Sequence, residues 1–178
     1  LKELQRTFLL ERGIGLVSWT FDPLVARNAH LNCNRLGAVI TEYVPNMYGT
    51  DTGSLLHSGL GTDRFVVDWS LADQQVEEII SGAQVSRSEA ISESPVVNTD
   101  EVGGAVIPVE ADLPAAPVVR IEIPRDIEQI KIDAMDLGKQ WRESTRRACT
   151  WYLERGYGID GFYSDPETKR CFYYLAIR

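Results

Sequence analysis

Residues 16–38, LVSWTFDPLVARNAHLNCNRLGA, decide how the chain is read. Val17, Trp19 and Phe21 alternate with smaller or polar neighbours, the pattern of a strand in a covered sheet. Asp22 is placed to cap a following helix, and Pro23 suits a first helical position, where a missing N–H costs nothing. The predicted helix runs from Pro23 to Leu36, with Gly37 as its stop. Open α/β sheets place ligands where a strand delivers its end onto a helix N-terminus. The first candidate side chains therefore lie here.

Working outward, residues 1–12 read as an amphipathic helix with Leu4, Phe8 and Leu9 or Leu10 on one face, closed by Gly13. No cap precedes Lys2-Glu3 and the first residue is Leu1, which leads to the expectation that part of the protein lies upstream. Residues 38–44 and 63–71 alternate as strands, separated by a glycine-rich loop over 49–61, and 73–80 add helical turns. Residues 81–116 are rich in Ser, Pro, Ala and acidic side chains, and read as a linker with one weak strand or hairpin around 105–109. Order returns with a strand at 118–124, a short helix from Asp126, a longer one to Arg155, and a hairpin about 165–168. The expected organisation is thus 1–80, a linker over 81–116, and a β-α-α-β-β region over 117–178.

The 178 residues are 44% hydrophobic and 25% charged, ample for a packed core. A net charge of −8 argues against a nucleic-acid footprint, and no stretch approaches a membrane span. Three cysteines without CxxC spacing read as reduced thiols of a cytoplasmic protein. Neither nucleic acid nor membrane is expected as a partner, and a homo-oligomer is left open.

With these elements laid out, LKxLQRxFLLERGI, WTFDPLxARNAHxNxNRLGA, YVxNMYG and TDRFVVDW resemble a family of predicted acetyltransferases in the GNAT superfamily. VRIEIP, WRESTR, RGYGIDGF and YYL extend the resemblance through the tail. It implies an α+β GNAT-like acyl-CoA N-acyltransferase fold, a mixed central sheet flanked by helices, here without its N-terminal strands and pyrophosphate turn. Acetyl-CoA is the implied co-substrate and a small-molecule or peptide amine the acceptor, by direct attack on the thioester. In that fold a glycine-rich turn holds the pyrophosphate, two splayed strands hold the pantetheine arm, and a tyrosine often protonates the departing thiolate. Ala29 and Gly37 match the superfamily pattern at the helix end, but Cys33 stands at the tyrosine position and Ala38 at the phenylalanine. Arg12-Gly13-Ile14-Gly15 imitates the pyrophosphate turn but follows a helix instead of preceding one.

The expected acyl-CoA side comprises Trp19, Thr20, Asn28, Asn32, Cys33 and Arg35. Asn28, Asn32 and Arg35 share a face at i, i+4, i+7 spacing, which serves either a channel or a solvated surface. Trp19 reads as core, and Thr20 points the other way. Tyr43, Asn46, Tyr48, Asp63 and Arg64 form the expected substrate side, with a mobile surface loop as the alternative. No residue is assigned as catalytic acid or base, and no metal is expected: His30, Cys33 and His57 lack a zinc spacing. His30 and Cys33, three apart, raise a thiolate–imidazole pair, against ordinary packing of a small thiol. Arg142 and Arg146, one turn apart, either grip a carboxylate or phosphate or pair locally with Glu143 or Asp136.

Overall fold

A computed structural model describes residues 2–49, 59–82 and 89–178. Its elements are α1 (Lys2–Leu10), β1 (Leu16–Phe21), α2 (Ala26–Ala29) continuing as a π-helix (His30–Arg35), β2 (Val39–Val44), β3 (Arg64–Ser70) and α3 (Gln74–Ile80). There follow α4 (Glu89–Glu93), β4 (Thr99–Val102), β5 (Ala105–Pro108), β6 (Val118–Ile123), α5 (Ile127–Asp133), α6 (Met135–Leu153), β7 (Tyr157–Ser164) and β8 (Cys171–Ile177). The architecture is α+β. In place of one mixed sheet, the described residues form three antiparallel sheets, ordered β1-β3-β2, β4-β5 and β6-β8-β7. No helix among them is long and apolar enough to cross a membrane.

The helix after β1 departs from its expected form. Asp22 Oδ1 accepts the N–H of Leu24 at 2.9 Å, folding an Asp-Pro turn, and the helix begins only at Ala26 with no side-chain cap. From His30 the chain widens to i→i+5 bonding, as in Leu36 N–H to Leu31 O at 3.0 Å. The wider turn breaks the 3.6-residue phase, so Asn28, Asn32 and Arg35 do not share a face. Asn32 is buried and Arg35 exposed. Gly37 ends the helix at φ +65, where any Cβ would meet Ile79 at 2.9 Å. On α1, Leu9 and Leu10 pack on the core while Leu4 and Phe8 face outward, and the Arg12 guanidinium lies 3.4 Å from the Phe8 ring centre.

Much of the expected linker is built into the fold. Val97 N–H donates to Arg120 O, and Arg120 N–H to Pro95 O, so this stretch runs beside β6. Asn98, 1% exposed, imitates a peptide: its amide nitrogen donates to Glu122 O at 2.9 Å and its Oδ1 accepts the Glu122 N–H at 2.8 Å. Glu122 in turn holds Arg170 at 2.6 and 2.8 Å. The β4–β5 hairpin turns on Gly103-Gly104, both at positive φ, and its second strand is the one that the sequence suggests as a weak strand or hairpin around 105–109.

Sheets β1-β3-β2 and β6-β8-β7 share one hydrophobic core, running from Phe21 and Phe65 to Tyr173 and Leu175. Phe65 on the central strand of the first sheet meets Tyr173 on the central strand of the other, ring centres 5.1 Å apart. The Tyr173 hydroxyl donates to Pro23 O at 2.9 Å, which satisfies a buried phenol. Tyr173 is therefore more than cross-strand packing in its own hairpin.

Two ionic contacts join the same halves. Arg142 Nη2 grips both oxygens of Asp22, at 2.7 and 2.8 Å, and its Nε donates to Leu60 O. Arg146 grips both oxygens of Asp63, at 2.6 and 2.9 Å, and reaches Asn46 Oδ1 at 3.0 Å. The two arginines do grip carboxylates, and the carboxylates belong to this chain. Burial alone would raise the Asp63 carboxyl. The bonds from Arg146, Tyr43 and the Asn46 N–H outweigh it and hold the pKa below the ordinary value. Removing this fully buried partner in Asp63→Ala costs about 3–5 kcal/mol in urea unfolding. Because the folded pKa is depressed, the contribution is full above about pH 5 and fades as pH falls below about 3.9 through the folded value. Asp63→Asn flattens that acid limb, which unfolding midpoints measured against pH will read.

Candidate functional site

The predicted substrate residues are largely occupied by one another. Tyr43 donates its hydroxyl to Asp63 Oδ2, and the Asn46 N–H donates to Asp63 Oδ1 at 3.0 Å. With Arg146 these close a buried network that leaves Asp63 no free lone pair toward solvent. Burial also pushes the Tyr43 phenol far above its usual range, so it stays a donor at every physiological pH. Tyr43, Asn46 and Asp63 thus hold two halves together. Arg64 spans Asp63 O at 2.9 Å and Asp22 at 3.5 Å, with Tyr48 beneath its guanidinium at 5.3 Å.

The predicted acyl-CoA residues separate into three places. Trp19 lies edge-on to Trp69 with centroids 6.0 Å apart, and its Nε1 donates to Asn32 Oδ1 at 3.2 Å. Both are thereby committed to packing the helix on the sheet. Thr20 points the opposite way, where its hydroxyl meets the exposed Tyr48 hydroxyl at 3.1 Å. Asn28 is half-buried. Cys33 and Arg35 look instead into a cleft on the far side of the π-helix.

The Thr20 corner has an open backbone. Leu71 N–H donates to Gly15 O at 2.8 Å, one step before the Leu16–Ser70 pair. Antiparallel alternation then turns Val17, Trp19 and Phe21 toward β3, while Leu16, Ser18 and Thr20 direct their N–H and C=O groups away from it. Among the described residues β1 pairs with β3 alone. A diphosphate cradle is a different matter. The N–H groups of Arg12, Gly13 and Ile14 donate to Leu9 O and Leu10 O, so these amides close the end of α1 and are not free to hold a diphosphate.

The cleft has a volume of ≈ 640 Å³, within the range of about 300–1,000 Å³ usual for ligand pockets. Strands β2 and β7 approach each other along it without a joining ladder. Both are bulged at this point, β2 between Ile40 and Glu42 and β7 between Ile159 and Gly161. The π-helix forms a third wall. Bulges and π-turns bend backbone away from regular pairing, and here all three irregularities open onto one cavity. Gly161 lets Tyr174 lie over β7, since a Cβ there would come 2.3 Å from the phenol oxygen. The β7 side of the cleft has no signature in the sequence, where Phe162, Tyr163 and Tyr174 read as hairpin packing.

Comparison of the chain with protein-family models, with curated proteins and with solved structures finds no match in any of the three. The chemistry must therefore be judged from geometry. No group of three His, Cys, Asp or Glu among the described residues is placed to hold a metal, and His57 lies outside those residues. Burial pushes the Cys33 thiol up to about 12, so it is protonated at neutral pH. Iodoacetamide should accordingly alkylate native Cys33 at pH 7.5 at least ~100-fold more slowly than the unfolded chain. Mass spectrometry of the labelled peptide measures it, and comparable rates would restore Cys33 as a nucleophile.

Proposed function

We propose that the chain is a GNAT-like acyl-CoA-dependent N-acyltransferase module, whose Thr20–Tyr48 corner takes the thioester end of acetyl-CoA. The supporting observation is the open edge of β1, where Leu16, Ser18 and Thr20 have no backbone partner among the described residues, beside an exposed phenol. The order α1-β1-α2-β2-β3 agrees with the second half of that superfamily's fold. A neutral amine attacks the thioester carbonyl, the C–S bond breaks, the Tyr48 hydroxyl gives its proton to the departing thiolate, and the proton shed by the amine passes through solvent to restore Tyr48. Cys33, at the usual tyrosine position, has a side chain in the cleft and takes no part. The described residues supply no diphosphate cradle, so affinity for CoA rests on the pantetheine and acyl portion and is weak. A cytoplasmic location accords with the free thiols of Cys33, Cys149 and Cys171.

A second reading, a ligand-binding module without catalysis, is favoured by the cleft, whose walls carry no paired acid and base. Thiol release from millimolar acetyl-CoA against a panel of amines separates the two. Release that falls roughly ten- to hundredfold in Tyr48→Phe supports the transferase. Bound acetyl-CoA without release, seen by titration calorimetry, supports the module. Micromolar affinity for CoA would contradict the missing cradle.

A further inference from the structure

Among the described residues, the guanidinium groups of Arg64, Arg142 and Arg146 form ion pairs with only two carboxylates, Asp22 and Asp63. Arg142 grips Asp22 and Arg146 grips Asp63 through short bonds, so each carboxylate is already committed. Arg64 is left without a counter-ion of its own. It stands 3.5 Å from Asp22, beyond the about 2.7–2.9 Å of a well-made charge-assisted bond, and its Nη1 donates instead to Asp63 O at 2.9 Å. The Arg64 side chain is only 12% exposed, and a charge so far out of water calls for a partner. Its Nε and Nη2 have no hydrogen bond among the described residues. Neither is sealed in, since the buried polar atoms without a partner there are Arg142 Nη1 and Thr145 Oγ1. The Nε–Nη2 edge is therefore open to a ligand.

Strand register places Arg64 at the Thr20–Tyr48 corner. Thr20 pairs with Val66, so Arg64, two residues earlier on β3, issues on the same face of the sheet, while Phe65, Val67 and Trp69 enter the core. The guanidinium carbon lies 5.3 Å from the Tyr48 ring centre, and the Tyr48 hydroxyl meets that of Thr20 at 3.1 Å. The three side chains thus meet at one place. A planar guanidinium edge matches a carboxylate through two parallel bonds. One uncompensated positive charge is balanced by a carboxylate, whereas a phosphate monoester brings about −1.5 to −2. We propose that Arg64 holds the carboxylate of the acceptor, which makes the acceptor at this corner an amino-carboxylic acid. The amine rests on the acyltransferase proposal, and the carboxylate site does not.

Glycine, β-alanine and γ-aminobutyrate serve as probes, with methylamine, ethylamine and propylamine as the matching controls without a carboxylate. The Arg64 Nε–Hε resonance, assigned by its disappearance in Arg64→Lys, should shift saturably with the amino acids and stay still with the alkylamines. Backbone amide shifts of Thr20 and Tyr48 follow binding to Arg64→Lys and Arg64→Gln, and the spread of the same spectra shows that the variants fold. Binding should weaken about tenfold or more, as loss of a paired charge-assisted contact requires. In the thiol-release assay kcat/KM for the amino acids should fall by the same factor through KM, with that for the alkylamines unchanged. Saturable shifts without acyl transfer support the carboxylate site while overturning the transferase. Equal kcat/KM for γ-aminobutyrate and propylamine, or an Arg64 resonance that no carboxylate moves, overturns the site even if transfer occurs. Tighter binding of propyl phosphate than of butyrate overturns the choice of a carboxylate.

Discussion

Two carboxylates of the first sheet region, Asp22 and Asp63, are held by two arginines one helical turn apart on α6. The clasp joins the two halves beside the apolar core that they share. Arg142 and Arg146 fix α6 against the β1 turn and the start of β3, which sets Tyr173 over Phe65 and brings β2 alongside β7. The contacts are directional where apolar packing is not, so they select one docking arrangement from many of similar buried area. The fit is incomplete, since Arg142 Nη1 and Thr145 Oγ1 are buried without a partner among the described residues.

One helix serves two surfaces. Its Asn32 side fastens Trp19 to the sheet behind the β1 edge, and its Cys33–Arg35 side walls the cleft. The π-widening makes this division, because i→i+5 bonding turns Arg35 away from Asn32. A regular α-helix would put Asn28, Asn32 and Arg35 in a single row, and the corner and the cleft would then compete for the same side chains. The two candidate sites are distinct because the backbone is irregular there.

The sequence is a good guide where local rules decide. Glycine at a positive φ closes the helices at Gly13, Gly37 and Gly156, and the Asp126 cap and the Asp165 turn stand where the residue types place them. It misleads where a polar side chain has a distant partner. Asp22 reads as a helix cap, yet its main partner is 120 residues away. Asp63 and Tyr43 read as candidate substrate groups, yet Asp63 is held by Arg146, 83 residues away. The 81–116 stretch reads as a linker because its composition is polar, whereas Asn98 spends its amide on Glu122 and so becomes part of the sheet edge.

By itself, then, the sequence determined the order of helices and strands outside 81–116 and the α+β class. These follow from hydrophobic period, capping and backbone freedom, all properties of a few neighbouring residues. Only the tertiary structure decided that the two three-stranded sheets share a core, that the predicted substrate carboxylate is a buried strut, and that a cleft lies between two bulged edges. Those depend on which distant charges meet and where pairing fails. Neither is written in local periodicity, because an arginine has the same pattern along the chain whether it faces water, a ligand or its own protein's aspartate.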